Sequence, residues 1–152
     1  MKKILIITVL IAIIGAYFLQ SSITGNTVST KTDAVMYKSS YCGCCENYMP
    51  YLKTKGFNLD VKDMQDISPI KRQLKVPSAL ESCHTTVIGN YFVEGHMPIE
   101  AVNKLLEEKP DIAGIALPVM PSGSPGMPGS KTEKWKIYAV NHDGTYGEFM
   151  TL

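Results

Sequence analysis

Short apolar runs separated by polar turns predict alternating strands and helices from residue 34 onward. Residues 34–38 (AVMYK) are mostly apolar and indicate a strand, and residues 58–64 (NLDVKDM) alternate as a second strand does. The apolar residues between them recur at helical spacing: Cys45, Tyr48, Met49 and Leu52. Gly56 is a typical residue to end that helix, so this part of the chain is predicted to be strand, helix, strand.

The pattern continues with a second helix, a hairpin and a third helix. Residues 68–74 begin with Ser-Pro, a favourable start for a helix. Residues 85–94 contain two strand-like runs around a Gly-Asn turn, which predicts a hairpin. Residues 98–110 predict the last helix. This order is that of a thioredoxin-like α/β domain, which we expect to be followed by the Pro/Gly-rich loop 114–129 and a C-terminal β-hairpin at 135–149.

The N-terminus differs in character from the rest. Two lysines precede a 16-residue apolar run from Ile4 to Leu19, followed by a polar stretch. At about 1.5 Å per residue, this run spans roughly 24 Å, short of the ~30 Å bilayer core. We therefore predict a signal peptide or membrane anchor at 1–22, a linker at 23–33 and the domain at 34–152. Either alternative places the domain outside the cytoplasm, in a periplasm or on the outer face of the membrane.

Charge excludes some classes of function. The chain has 15 Lys plus Arg against 14 Asp plus Glu, so no basic surface for nucleic acid is predicted. We find no phosphate-binding loop, no paired-carboxylate site and no nucleophile–base triad. Contact with a membrane is expected only through the N-terminal segment.

The segment SSYCGCCENYMP places Cys42, Cys44 and Cys45 within four positions, and Cys83 is the remaining cysteine. Exported proteins commonly oxidise their cysteines to structural disulfides. A Cys42–Cys45 bridge closes almost no loop and would add little stability. Three clustered thiols are therefore better explained by chemistry, and their predicted place at a helix N-terminus favours thiolates.

Folding the predicted hairpin at its Gly-Asn turn shows which residues approach the cysteines. Pairing from the turn outward sets Thr85 opposite Glu94 and carries on to Cys83 opposite His96. Cys83, His84 and His96 then lie at the open end of the hairpin. In a thioredoxin-like domain this end lies beside the cysteine segment, so we expect them to converge on it.

Two resemblances strengthen this expectation. The run C-G-C-C-x-x-x-x-P, residues 42–50, is similar to the thioredoxin run C-G-P-C-x-x-x-x-P. The combination of C-G-C-C, V-P-S-A-L-E-S-C-H-T, V-E-G-H-M-P and L-P-V-M-P-S-G-S-P-G-M resembles the CopG-like family of exported copper-resistance and metal-binding proteins. The resemblance implies a role in copper handling or resistance. One departure from it is Val119, where glycine is expected.

The candidate ligands are soft donors. Thiolates favour Cu(I) and Zn(II), and the loop adds two thioethers of the kind that Cu(I) accepts. The predicted metal ligands are Cys42, Cys44, Cys45, Cys83, His84, His96, Met120 and Met127. We expect copper, as a single Cu(I) or a small cluster; zinc in a structural site is the alternative.

Another class of function stays open. Cys42 and Cys45 could be the nucleophile and the resolving thiol of a thiol–disulfide oxidoreductase, although such an enzyme needs neither Cys44 nor the Cys83-His84 pair. We expect a binding protein rather than an enzyme, or at most a thiol or copper oxidoreductase. A copper exporter or another copper carrier is the expected partner.

Overall fold

The computed structural model describes residues 31–152 and builds them around one mixed sheet. Its seven strands are β1 (Thr32–Ser39), β2 (Phe57–Met64), β3 (His84–Ile88), β4 (Tyr91–Glu94), β5 (Gly114–Ala116), β6 (Lys136–Val140) and β7 (Tyr146–Thr151). The helices are α1 (Cys45–Thr54), α2 (Ser68–Gln73) and α3 (Ile99–Glu108), with a 3-10 turn at Ser78–Leu80. The protein is thus a mixed α/β domain.

The order of the strands across the sheet is β2-β1-β3-β4-β5-β6-β7. β1 and β2 are parallel, which requires a crossover connection, and α1 supplies it. β3 runs antiparallel to both β1 and β4. The C-terminal ends of β1 and β4 and the N-terminal end of β3 therefore lie at the same edge of the sheet.

The core explains why these elements pack. The apolar face of α1 contributes Tyr48 and Leu52, which are buried in one cluster with Val102 and Leu105 of α3. The strands complete this cluster with inward side chains such as Met36, which has no exposed surface. Because α1 is anchored by its buried face, the position of the cysteine segment at its N-terminus is fixed as well.

Most of the predicted elements are confirmed. The hairpin register is also confirmed, with Thr85 opposite Glu94 and Ile88 opposite Tyr91. The prediction of a continuous loop over residues 114–129 is wrong at its start, where Gly114–Ala116 form the strand β5. Three residues are too few to show periodicity, and β5 forms because it pairs on both sides, parallel to β4 and antiparallel to β6.

The predicted signal peptide or anchor at 1–22 lies outside the described residues, and so do residues 23–30 of the predicted linker. Within residues 31–152, no helix is both long enough and apolar enough to cross a membrane. β1 begins at Thr32, so the last two residues of the predicted linker belong to the sheet.

Candidate metal centre

The cysteine segment forms a tight turn between β1 and α1. The amide of Cys42 donates to the carbonyl of Ser39 at 2.9 Å, and the amide of Asn47 donates to the carbonyl of Cys44 at 3.1 Å. The amide of Cys45 donates to the sulfur of Cys42 at 3.3 Å. At the N-terminus of α1, one backbone N–H, that of Cys45, is thus directed at a cysteine sulfur, and such a donor favours negative charge there.

Two of the four cysteines are oxidised in this structure. Cys42 and Cys45 form a disulfide, while Cys44 and Cys83 are free thiols and partly exposed. The set of four thiolates expected from the sequence is therefore complete only after this bridge is reduced. Because the bridge spans a sequence separation of three, it contributes little to stability, and its significance is chemical.

Cys83 lies at the centre of the cluster. Its sulfur is 2.9 Å from that of Cys42, 3.4 Å from that of Cys45 and 3.6 Å from that of Cys44. The thioether sulfur of Met120 lies 3.2 Å away on the loop side. One sulfur atom thus lies within reach of four others, although at least 37 residues separate it from each of them in sequence.

The two histidines extend the cluster into the protein. His84 directs Nδ1 toward the sulfur of Cys45 at 3.4 Å and toward that of Cys83 at 3.8 Å. His96 is also fully buried, and its Nδ1 lies 2.7 Å from the carbonyl oxygen of Pro125. Since a carbonyl only accepts, Nδ1 of His96 carries the proton and Nε2 is left as a free acceptor. That Nε2 has no hydrogen-bond partner among residues 31–152, which suits a metal ligand.

Tyr48 holds the two imidazoles in place. Its ring centroid lies 5.1 Å from that of His84 and 4.9 Å from that of His96, and the two imidazole centroids are 5.1 Å apart. The hydroxyl of Tyr48 donates to the carbonyl of Met97 at 2.9 Å, which fixes the ring. Tyr48 therefore lines the site, whereas the ring of Tyr41 is exposed.

The geometry defines two overlapping groups of potential ligands. One contains Cys42, Cys44, Cys45 and Cys83, and the other contains Cys45, Cys83, His84 and His96. In each group all the ligand atoms lie within 4.8 Å of one another. The groups share Cys45 and Cys83.

The Pro/Gly-rich loop closes over the cluster. Val119 and Met120 both have positive φ angles, 58° and 42°. This backbone conformation costs a β-branched residue more than it costs glycine, which gives a physical reason for the glycine expected at position 119. Gly126 has a φ of 80°, and a Cβ there would lie 2.8 Å from the amide nitrogen of Tyr48. Only glycine allows the loop to approach α1 so closely.

Met120 and Met127 differ in their relation to the cluster. The sulfur of Met120 lies 3.2 Å from that of Cys83, so the structure brings this predicted ligand to the cluster. For Met127 the structure shows a loop hydrogen bond, in which its amide donates to the carbonyl of Ser124 at 2.8 Å. Among the described residues, no contact joins the sulfur of Met127 to a cysteine. The ligand roles of both methionines stay predictions.

Burial controls the protonation of the centre. Burial, together with the nearby Cys44, raises the pKa of Cys83 to about 12. Burial also lowers the pKa of His96. Both shifts disfavour the charged forms, so Cys83 and His96 stay neutral when no metal is bound. A bound cation would replace the thiol protons, and metal binding should therefore release protons.

His84 should stay unprotonated in mildly acidic solution when no metal is bound. Burial, with smaller contributions from His96 and Lys71, lowers the pKa of His84 to about 3 from the ordinary 6.5. Between these values the unfolded chain holds a proton that the folded protein lacks, so His84 makes the fold less stable as the pH falls. The effect is at most about 1.4 kcal/mol per pH unit. An NMR titration of the His84 ring measures this, and a midpoint near that of an exposed imidazole would contradict it.

Sequence reasoning missed two charged residues behind the cluster. Lys71 and Glu94 form a buried ion pair with exposed side-chain fractions of 3% and 0%. The predicted hairpin register already paired Glu94 with Thr85, but nothing in the sequence brings Lys71 to that position. Lys71 lies on α2, and only the packing of α2 against the sheet places it there.

The chain is thus a small mixed α/β protein with a potential metal site, in which four cysteine sulfurs and two imidazoles meet at one edge of the sheet. Residues 80–127 match the family described as "Protein of unknown function, DUF411". No curated protein matches the chain.

Two solved structures resemble the chain closely. They are described as "Copper resistance protein copG", forms 1 and 2, and are 32% and 33% identical in sequence, each with a TM-score of 0.73. Each alignment covers 80% of this chain and 98% of the solved one. The chain therefore belongs to the CopG-like copper-resistance family, as its motifs predicted.

Proposed function

We propose that the domain binds copper, as Cu(I), and serves in copper handling or resistance. The observation that carries the proposal is the convergence of Cys42, Cys44, Cys45 and Met120 on the sulfur of Cys83, within 3.6 Å or less. Thiolate and thioether sulfurs are the ligands that Cu(I) prefers. The names of the two similar structures support copper in particular.

The overlap of the two ligand groups supports a small cluster rather than one isolated ion. A thiolate can bridge two Cu(I) ions, and Cys45 and Cys83 belong to both groups. We call the four cysteines the outer group, and Cys45 and Cys83 with the two histidines the inner group. His84 and His96 would complete the inner group, and Cys44 and Met120 would add donors beside it. Zinc would need four ligands in one closed tetrahedral site, which leaves the remaining donors without a role.

A second candidate function has a specific observation in its favour. The Cys42–Cys45 disulfide is the oxidised form that a thiol–disulfide oxidoreductase would hold. The strand and helix order through α3 also supports the thioredoxin-like fold that we predict for this part of the chain. The free thiol of Cys83 next to this bridge, with its histidine neighbour, supports metal binding as the main function.

We further propose that the protein works outside the cytoplasm, exported by residues 1–22 as a cleaved signal or an anchor. The partly exposed Cys44 and Cys83 would then be open to a copper carrier or exporter that exchanges the ion by thiol ligands. Two observations support this proposal. The N-terminus has two lysines followed by an apolar run, and the similar structures are named as copper-resistance proteins.

The reduced domain should bind more than one Cu(I) per chain, because bridging sulfurs serve two ions each. The domain would be purified without added metal under anaerobic conditions, analysed for its metal content, and titrated with Cu(I) against a competing chelator. A sharp endpoint at one ion would exclude the cluster. Tighter binding of zinc than of Cu(I) would overturn the copper proposal itself.

A further inference from the structure

The buried pair of Lys71 and Glu94 lies directly behind the cysteine cluster. Burying two charges carries a desolvation cost that often exceeds their attraction, so a well-packed apolar pair could serve stability equally well. The pair therefore needs a reason beyond stability, and its hydrogen bonds indicate one.

Both carboxylate oxygens of Glu94 bond to residues on either side of Cys83-His84. Oε1 accepts from the amide of Ser82 at 2.6 Å and also contacts Lys71. The single proton of the Ser82 hydroxyl is shared between Oε1 at 3.0 Å and the carbonyl oxygen of His84 at 3.1 Å. Oε2 accepts from the hydroxyl of Thr85 at 2.5 Å. Lys71 in turn donates to the hydroxyl of Thr85 at 3.2 Å. The dipeptide is thus fastened at both ends to one carboxylate.

The dipeptide needs this support because it lies where the regular sheet ends. The carbonyl of Cys83 accepts a backbone hydrogen bond from the amide of Ser39 at 3.4 Å, and the carbonyl of His84 accepts one from the amide of Gly95 at 3.3 Å. Both bonds are long. Ligands generally have to be held to within about 0.5 Å of the productive geometry by the residues behind them. Since Cys83 is the sulfur that contacts four others, a small displacement of it would affect every contact.

Glu94 is not itself placed as a ligand. It is absent from both groups of potential ligands among residues 31–152, and its hydrogen-bond partners are Ser82, Thr85 and Lys71. We propose that Glu94, paired with Lys71, is a positioning residue that holds Cys83 and His84 in the metal-binding arrangement. This inference rests on the proposed copper-binding function.

A pair of neighbouring threonines on β3 offers a matched test. Thr85 and Thr86 are both fully buried, but the hydroxyl of Thr85 bonds to Glu94 and Lys71, whereas that of Thr86 has no hydrogen-bond partner among the described residues. Thr85→Val should weaken Cu(I) binding on the order of 10-fold, as the loss of supporting residues behind metal ligands does. Thr86→Val should bind like the wild type, and Thr85→Ser should restore binding.

Glu94→Gln removes the charge that receives these bonds and should weaken binding further, on the order of 10- to 100-fold. Its control is Glu108→Gln, the same change in the exposed pair with Lys104. Unfolding midpoints identify variants that fail to fold. If Thr85→Val is one of them, Ser82→Ala takes its place, because it removes one hydroxyl donor shared by the same carboxylate and the His84 carbonyl. It should weaken binding in the same direction.

Two results would overturn the proposal. One is wild-type copper affinity in folded Thr85→Val and Glu94→Gln, and the other is an equal loss in Thr86→Val, which would indicate a general packing effect. If the wild type itself binds no Cu(I), the proposed function fails separately. In that case the alkylation rate of Cys83 in the reduced, metal-free variants tests whether Glu94 positions this residue. A change of rate confined to Thr85→Val and Glu94→Gln would support the positioning role, and equal rates in all variants would refute it.

Discussion

Replacing Cys83 with serine should remove most of the affinity of the reduced domain for Cu(I). The Cys83 sulfur lies within 3.6 Å of the Cys42, Cys44, Cys45 and Met120 sulfurs and belongs to both ligand groups. Loss of a supporting residue behind a ligand costs on the order of 10- to 100-fold, and loss of a bridging ligand should exceed that range. Competition titration with a Cu(I) chelator measures the change.

Cys44→Ser is the natural comparison. The Cys44 sulfur has two sulfur neighbours among the described residues within 3.6 Å, at 3.5 Å and 3.6 Å, and belongs to one ligand group. The substitution Cys44→Ser should therefore lower the number of bound copper ions, or the affinity for them, but by less than Cys83→Ser does. The same two variants test the alternative function, because a dithiol enzyme would keep its turnover of a disulfide substrate in both. Unchanged copper binding in Cys83→Ser together with strong disulfide reductase activity would favour the oxidoreductase.

Oxidation should switch off most copper binding. With Cys42 and Cys45 joined, the outer ligand group retains only Cys44 and Cys83 as thiols, and the inner group loses Cys45. The oxidised domain should therefore bind at most one Cu(I), with an affinity lower on the order of 100-fold or more, since several ligands are lost together. A dithiol reductant should restore both the copper count and the affinity.

The measurement compares oxidised and reduced domain in the same anaerobic titration. Alkylation followed by mass spectrometry verifies beforehand that Cys44 and Cys83 are the free thiols in the oxidised sample. Equal copper counts in the two forms would show that Cys42 and Cys45 are not ligands. The site would then consist of Cys44, Cys83 and the histidines.

Much of this architecture is encoded locally. Apolar periodicity, the Ser-Pro start of α2 and the turn residues of the two hairpins together predict all three α-helices and every strand except β5, because each of these signals lies within a short stretch of sequence. The hairpin register also follows from the sequence, since the Gly-Asn turn fixes which residues face each other. That register is enough to place Cys83 and His96 at the same end of the hairpin.

The ligand candidates are also evident from the sequence, because cysteine and histidine in this density are rarely needed for packing alone. The arrangement of these residues in space is not evident from the sequence. The sequence does not show that Cys83 rather than Cys44 is the central sulfur, or that Met120 contacts it. Both depend on how the loop at 117–130 folds back, which involves the positive φ angles of Val119 and Met120 and the close approach of Gly126 to Tyr48.

The sequence by itself therefore determined the α/β element order and the set of candidate soft-metal ligands, because these depend on local periodicity and on side-chain type. Only the tertiary structure decided which sulfur is central, that Tyr48 packs against both imidazoles, and that Glu94 and Lys71 lie behind Cys83-His84. Such contacts join residues far apart in the chain. Their positions are set by the packing of helices on the sheet, for which no local pattern carries a signal.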